Sequence, residues 1–144
     1  MHPVYIITTA HHLYEQVIAL RQRVLRAPLG LDILNDDLEA EVQQIIFIYE
    51  KEGQVKGCVL LAQYDAETFK MRQMAVDSNE QGKGIGAELI NAADMYAVNQ
   101  GKSRIILHAR ETAIPFYEKL GYEAEGDTFT EVGLPHRKME KLLA

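Results

Sequence analysis

One segment limits what this chain can fold into more than any other: Met74-Ala75-Val76-Asp77-Ser78-Asn79-Glu80-Gln81-Gly82-Lys83-Gly84-Ile85-Gly86. An apolar, strand-like run ends at Val76. A polar connection, Asp77 to Gln81, follows. Gly82, Gly84 and Gly86 then stand at alternate positions where a long helical pattern opens. Alternate glycines adopt backbone angles that other residues avoid and let a ligand approach the main chain. The unpaired N–H groups of a helix N-terminus attract phosphate. The segment therefore predicts a diphosphate cradle at a strand-to-helix junction.

Three ligand classes compete for such a cradle. A nucleotide P-loop requires G-x-x-x-x-G-K-[ST], and Lys83 is followed by Gly84, so that pattern fails. A dinucleotide fingerprint is formally present, since Gly82, Gly84 and Ala87 fit G-x-G-x-x-A. Two features oppose it. The connection from Val76 to Gly82 is too long for the tight turn expected directly after the strand. The next strand also closes on Leu107-His108 rather than on an acidic residue. The third class is coenzyme A, whose diphosphate would sit on the loop while its pantetheine arm follows the preceding strand.

The flanking pattern supplies a scaffold. Val4 to Ile7 reads as a first strand. His11 to Arg26 reads as a helix through Leu13, Val17, Leu20 and Val24, which share one helical face. Pro28 and Gly30 end it, and Asp32 to Val42 reads as a short helix or a loop. A meander follows: Gln44–Glu50, the turn Lys51-Glu52-Gly53-Gln54, Val55–Tyr64, the turn Asp65-Ala66-Glu67, and Thr68–Val76. These short connections allow antiparallel neighbours. Gly82 opens a helix carrying Ile85, Leu89, Ala93, Tyr96 and Ala97, with Gly101 as its C-terminal cap. Arg104–Leu107 is a short buried strand, so Lys70 to Leu107 forms a strand–helix–strand unit that predicts parallel neighbours. Thr112–Leu120 is a shorter helix stopped by Gly121, and Tyr122–Phe129 with His136–Leu142 is a final strand pair. The fold class is mixed α/β: one sheet, an antiparallel N-terminal meander joined to a parallel strand–helix–strand unit, with helices on both faces.

Composition bounds the remainder. At 144 residues the chain predicts one domain, residues 1–144. No apolar run approaches a membrane span, and the N-terminus lacks the basic and apolar regions of a signal peptide. Cys58 is the single cysteine, which leaves no internal disulfide and no cysteine-based zinc site. These features together favour the cytoplasm. The net charge of −6 with scattered basic residues argues against a nucleic-acid binder. His11 and His12 are adjacent and do not share a helix face, so no metal is expected. Exposed sheet edges would allow a homodimer.

Two motifs carry a resemblance. Gln81-Gly82-Lys83-Gly84-Ile85-Gly86 is similar to the Q/R-x-x-G-x-G/A pyrophosphate motif of the GNAT superfamily, the acetyl-CoA-dependent N-acetyltransferases. Ala113-Ile114-Pro115-Phe116-Tyr117-Glu118-Lys119-Leu120-Gly121-Tyr122 resembles that superfamily's second signature, A-x-x-[LF]-Y-x-x-x-G-[FY]. The tail Glu131 to Met139 resembles the end of its bacterial subgroup containing the ElaA and YjcF proteins. The resemblance implies acetyl transfer from acetyl-CoA directly to an amine. It places the cofactor on Met74, Ala75, Val76, Gln81, Gly82, Lys83, Gly84, Ile85, Gly86, Phe116 and Tyr117. A common asparagine is Arg110 here, so that contact is expected to be remade by the guanidinium on a phosphate. The strand ending at Val76 is expected to splay from Ile105–Leu107 and admit the pantetheine, with an N–H near Ala75 or Val76 polarising the thioester carbonyl.

Tyr117 is the candidate general acid at the CoA sulfur, against a reading in which it only packs. His108, at a strand end, and Glu131 are candidates for the general base, with His136 and Glu67 as further carboxylate or imidazole positions. No Cys-His arrangement surrounds Cys58, so a covalent route is not expected. The same fold would also serve a non-catalytic acyl-CoA sensor.

Overall fold

The computed structural model describes residues 3–143. Seven strands form one sheet in the order β1-β2-β3-β4-β5-β7-β6. They are β1 (Val4–Ile7), β2 (Ile45–Lys51), β3 (Gln54–Asp65), β4 (Thr68–Val76), β5 (Arg104–Arg110), β6 (Glu123–Glu131) and β7 (Leu134–Leu142). Neighbours from β1 to β4 are antiparallel, β4 and β5 are parallel, and β5–β7–β6 is antiparallel again. The predicted meander and parallel unit are therefore both present. The parallel pair arises where a helix crosses over, because adjacent parallel strands need a long connection.

Strand alternation divides the core in two. On one face α1 (Tyr14–Arg21) sets Val17 and Leu20 against Ile46, Ile48, Cys58, Leu60 and Ala75. On the other, α2 (Ile85–Asn99) sets Leu89, Ile90, Ala93 and Ala97 against Phe47, Val59, Leu61, Phe69, Met71 and Ile105. The short α3 (Ile114–Glu118) places Tyr117 in this second cluster. Tyr96 completes it by ring packing on Phe47 and Phe69 at 5.7 and 6.0 Å between centroids.

Several boundaries differ from the sequence reading, each for a local reason. The first α-helix begins at Tyr14 rather than His11, because the Leu13 N–H bonds to His11 Nδ1 at 3.1 Å and the chain turns there first. It widens into a π-turn over Gln22–Arg26, then tightens to a 3-10 turn over Ala27–Leu29 before left-handed Gly30. The 32–42 stretch resolves into 3-10 turns at Ile33–Asn35 and Glu39–Gln43. Helix α2 starts at Ile85, since Gly82 and Gly84 both have φ of +82° and cannot be helical. The second helix shortens to α3, preceded by a 3-10 turn over Glu111–Ala113. Strand β5 runs on to Arg110 because β7 pairs with it along its whole length, to Arg110↔His136.

Candidate active site

The site begins where β4 and β5 part. Their ladder runs only from Thr68↔Arg104 to Met71↔Leu107. Beyond it β4 stays with β3 as far as Val76, while β5 follows β7 to Arg110. The parting coincides with a β-bulge. Cys58 pairs with Ala75 and Leu60 with Arg72, so Val59 faces both Gln73 and Met74. Gln73 sits at φ +57°, and such bulges bend and twist a strand. The bulge is held from α1. Buried Arg21 donates to Gln73 Oε1 at 3.2 Å and makes a two-pronged pair with buried Glu41 at 2.7 Å on each arm. Cys58 Sγ donates to the Gln73 carbonyl at 3.4 Å, and burial pushes this thiol up to about 12. It stays protonated and is no nucleophile.

A cavity of about 560 Å³ fills the gap. Its lining comes from both faces of the sheet: Val24, Leu25 and Arg26 from the π-turn on the α1 side, and Ala113 and Tyr117 on the α3 side. The cavity thus passes through the sheet.

At its α2 end lies the glycine loop. Gly84 caps α2 without any side-chain hydrogen bond. An added Cβ at Gly82 or Gly84 would meet nothing within 4 Å, so the loop is open above bare helix N–H groups. Gly86 has a different task from its neighbours. A Cβ there would lie 2.8 Å from Met74 Cε and 3.0 Å from Phe116 Cζ. Gly57 on β3 likewise leaves room for Ile85 and Leu89, each 2.9 Å from a notional Cβ. These two glycines bring the α2 N-terminus down onto the sheet. Gln81 Nε2 donates to the Val76 carbonyl at 3.3 Å and lines the cavity with Met74. Lys83 is tied to Glu80 at 3.0 Å, and this hydrogen bond, with one from Lys51 at 3.3 Å, keeps the Glu80 carboxyl below its ordinary range. Ala75 is buried on the α1 side, Val76 packs against the α2-side cluster, and Phe116 is partly exposed beside Tyr117 with centroids 5.1 Å apart.

The candidate acid and base line the same cavity. Tyr117 is 8 % exposed and lines the cavity. Among the described residues its hydroxyl has no hydrogen-bond partner, and burial pushes its pKa up to about 12. Tyr122 packs edge-on against it at 6.0 Å, and its own hydroxyl is anchored to Asp94 at 2.7 Å. Across the gap, His108 Nδ1 lies 3.0 Å from Glu131 Oε1. A carboxylate only accepts, so Nδ1 carries the proton of this contact, and in the neutral ring Nε2 is the acceptor. His136 Nε2 approaches the other Glu131 oxygen at 3.7 Å, while its Nδ1 donates to the Leu134 carbonyl at 2.9 Å. Phe129 lies against both imidazoles, 5.0 Å from His108 and 6.1 Å from His136.

The hairpin β6–β7 assembles this cluster. Its two-residue turn is Val132-Gly133, at φ +46° and +76°. Left-handed backbone is strained for a β-branched residue, so the tip that carries Glu131 is held by the pairing on either side. His108, Glu131 and His136 are brought together; Glu67 is not. It lies where β4 and β5 are still paired, its carbonyl accepting from the Ser103 and Arg104 N–H groups, at the closed end of the sheet. Sequence reasoning also missed Arg26, Asp36, Lys70 and Arg72 in the lining. The alternation Lys70-x-Arg72 beside His108-x-Arg110 was the available signal, since alternate residues share a strand face.

Known proteins share this architecture. The chain matches the Acetyltransferase (GNAT) domain family over residues 10–143. It is 31% identical over 133 residues to the "Uncharacterized N-acetyltransferase YjcF" of Bacillus subtilis (strain 168), covering 92% of this chain and 89% of that one. In fold it is similar to Escherichia coli ElaA, with a TM-score of 0.85, 15% identity, and 98% and 99% of the two chains covered. An aminoglycoside 6'-N-acetyltransferase complexed with coenzyme A superposes with a TM-score of 0.83 at 15% identity, over 98% and 97% of the two chains. The match over nearly the whole sequence, on a sheet that parts beside an open glycine loop, places this chain in the GNAT acetyltransferase family.

Proposed function

We propose that residues 1–144 form one catalytic domain that transfers an acetyl group from acetyl-CoA to the nitrogen of an amine, within the cytoplasm. The observation that carries this reading is the meeting, in one cavity through the sheet, of a tyrosine hydroxyl with no protein partner among the described residues and an imidazole oriented by a carboxylate.

The residues fit the cofactor. The Gly82–Gly86 loop offers bare N–H groups and open space to a diphosphate, and the parted edge of β4 beyond Met71 offers main-chain groups to an amide-bearing arm. Acetyl-CoA supplies the activated acyl group as a thioester. His108 takes a proton from the acceptor ammonium at Nε2, freeing the nitrogen lone pair. Glu131 fixes the tautomer and stabilises the imidazolium that results. Tyr117 gives the proton of its hydroxyl to the departing thiolate as the C–S bond breaks, and the tyrosinate recovers a proton from the nitrogen as the new C–N bond becomes an amide. Strand β5 holds His108 and the short helix α3 holds Tyr117 against the same gap, and orientation of this kind supplies several kcal/mol of the barrier reduction.

Isothermal titration of the purified protein with coenzyme A, with NAD as the control, tests the cradle. Thiol release from acetyl-CoA across a panel of amines then tests the chemistry. Binding of coenzyme A alone, followed by amine-dependent thiol release, is the expected result. Binding without release from any amine would make the chain an acyl-CoA sensor. Binding of NAD instead would overturn the assignment.

A further inference from the structure

The cavity carries more positive charge than acetyl transfer to a plain amine requires. It is lined by Arg26, Lys70, Arg72 and Arg110 but only two carboxylates, Asp36 and Glu131, in a protein whose net charge is −6. Both carboxylates are already committed. Asp36 clamps Arg26 through two bonds of 2.7 and 3.1 Å, and Glu131 holds His108. Lys70, Arg72 and Arg110 form no ion pair among the described residues. Arg72 donates to the neutral Gln44 Oε1 at 2.8 Å and Arg110 to the Leu25 carbonyl at 3.2 Å. Burial and the neighbouring Arg26 charge both disfavour the charged form of Arg110. An anion placed there would relieve that cost.

We infer that the acceptor is an amine that also carries an anionic group, a carboxylate or a phosphate, which Arg110 and Arg72 grip with Lys70 beside them. This rests on the acetyltransferase reading above. Such an anion has two possible sources, the acceptor or the phosphates of the cofactor, and the sheet distinguishes them. Lys70, Arg72, His108 and Arg110 alternate on the face that α1 covers, as the bond from Arg110 to Leu25 requires. The glycine loop opens at α2, on the opposite face. The clamp therefore lies on the side of His108 and Glu131, where an acceptor must present its nitrogen. Arg110 is accordingly assigned to the acceptor rather than to a cofactor phosphate. Guanidinium groups suit this task because their planar fork matches carboxylate and phosphate geometry.

The test uses matched pairs: each common L-amino acid against its decarboxylated amine, and phosphoethanolamine against ethanolamine, scored by thiol release from acetyl-CoA. At least one pair is expected to favour its anionic member by tenfold or more in kcat/KM. Arg110→Gln, and separately Arg72→Gln, should collapse that ratio toward one while the titrated coenzyme A affinity stays within about twofold. The second variant guards against misfolding of the first, with thermal melts as the check. Uncharged members matching or exceeding their partners throughout the panel would overturn the inference. So would a tenfold loss of coenzyme A affinity in Arg110→Gln with the pair ratio intact, which would make the clamp a cofactor site. Failure of the wild type to bind coenzyme A would remove the underlying acetyltransferase reading itself.

Discussion

Tyr117 is a largely buried side chain whose hydroxyl opens on the cavity and has no protein partner among the described residues. No buried side-chain polar atom of the described residues goes unpartnered, so this hydroxyl is reached from the cavity rather than sealed in the core. Tyr122, five residues on, instead donates to Asp94 within the core. Tyr117→Phe is therefore expected to lower kcat by about 100-fold, the lower end of the range for a positioned acid, and to leave coenzyme A affinity nearly unchanged by titration. An unchanged kcat would reduce Tyr117 to packing. Its pKa, raised from 10.0 to about 12 by burial, sets the pH behaviour. The protonated form is favoured in the folded state, so any stability tied to it is complete below pH 10 and is lost only as pH climbs toward 12. The rate should accordingly show no alkaline fall from Tyr117 below about pH 10.

The decisive elements are the bulge in β4 and the N-terminus of α2. The bulge depends on a buried network, Tyr14 and Arg21 on Glu41 and Arg21 on Gln73, that ties α1 and the 39–43 turn to the strand at the point of parting. Removing one partner of a buried ion pair leaves the other charge uncompensated, at a cost of roughly 3–5 kcal/mol. Glu41→Gln should lose stability of that order in urea denaturation and should raise the KM for acetyl-CoA as the bulge loosens. A loss below about 1 kcal/mol would mean that the bulge is set by β3 pairing alone. None of this was visible along the chain, because Arg21, Glu41 and Gln73 are separated in sequence and each reads as a surface residue. The α2 N-terminus was more legible. Its glycines marked a cradle, but only the packing divides them into Gly82 and Gly84, which take left-handed backbone, and Gly86, which admits Met74 and Phe116.

Across the whole molecule, one sheet separates two chemistries. The α2 face presents the open glycine loop, the α1 face presents the cationic end of the cavity, and the parted strands connect them. Because the cavity draws on β4, β5, α3 and the β6–β7 hairpin together, it exists only in the folded chain. Coenzyme A at 100 times its Kd should then stabilise folding by about 2.7 kcal/mol, read as a rise in Tm; no shift at that concentration would place the ligand elsewhere. The local sequence alone determined the strands, the two main helices, the parallel crossover and the glycine loop at the start of α2, since periodicity, turn residues and glycine spacing act over a few residues at a time. It named Tyr117, His108 and Glu131 without relating them. Tertiary structure decided that His108, Glu131 and His136 form one cluster, that Glu67 lies at the closed end, and that three cations with no ion pair among the described residues share a cavity. Those relations depend on strand register and on where a ladder stops, which follow from the packing of distant segments and leave no local trace in the chain.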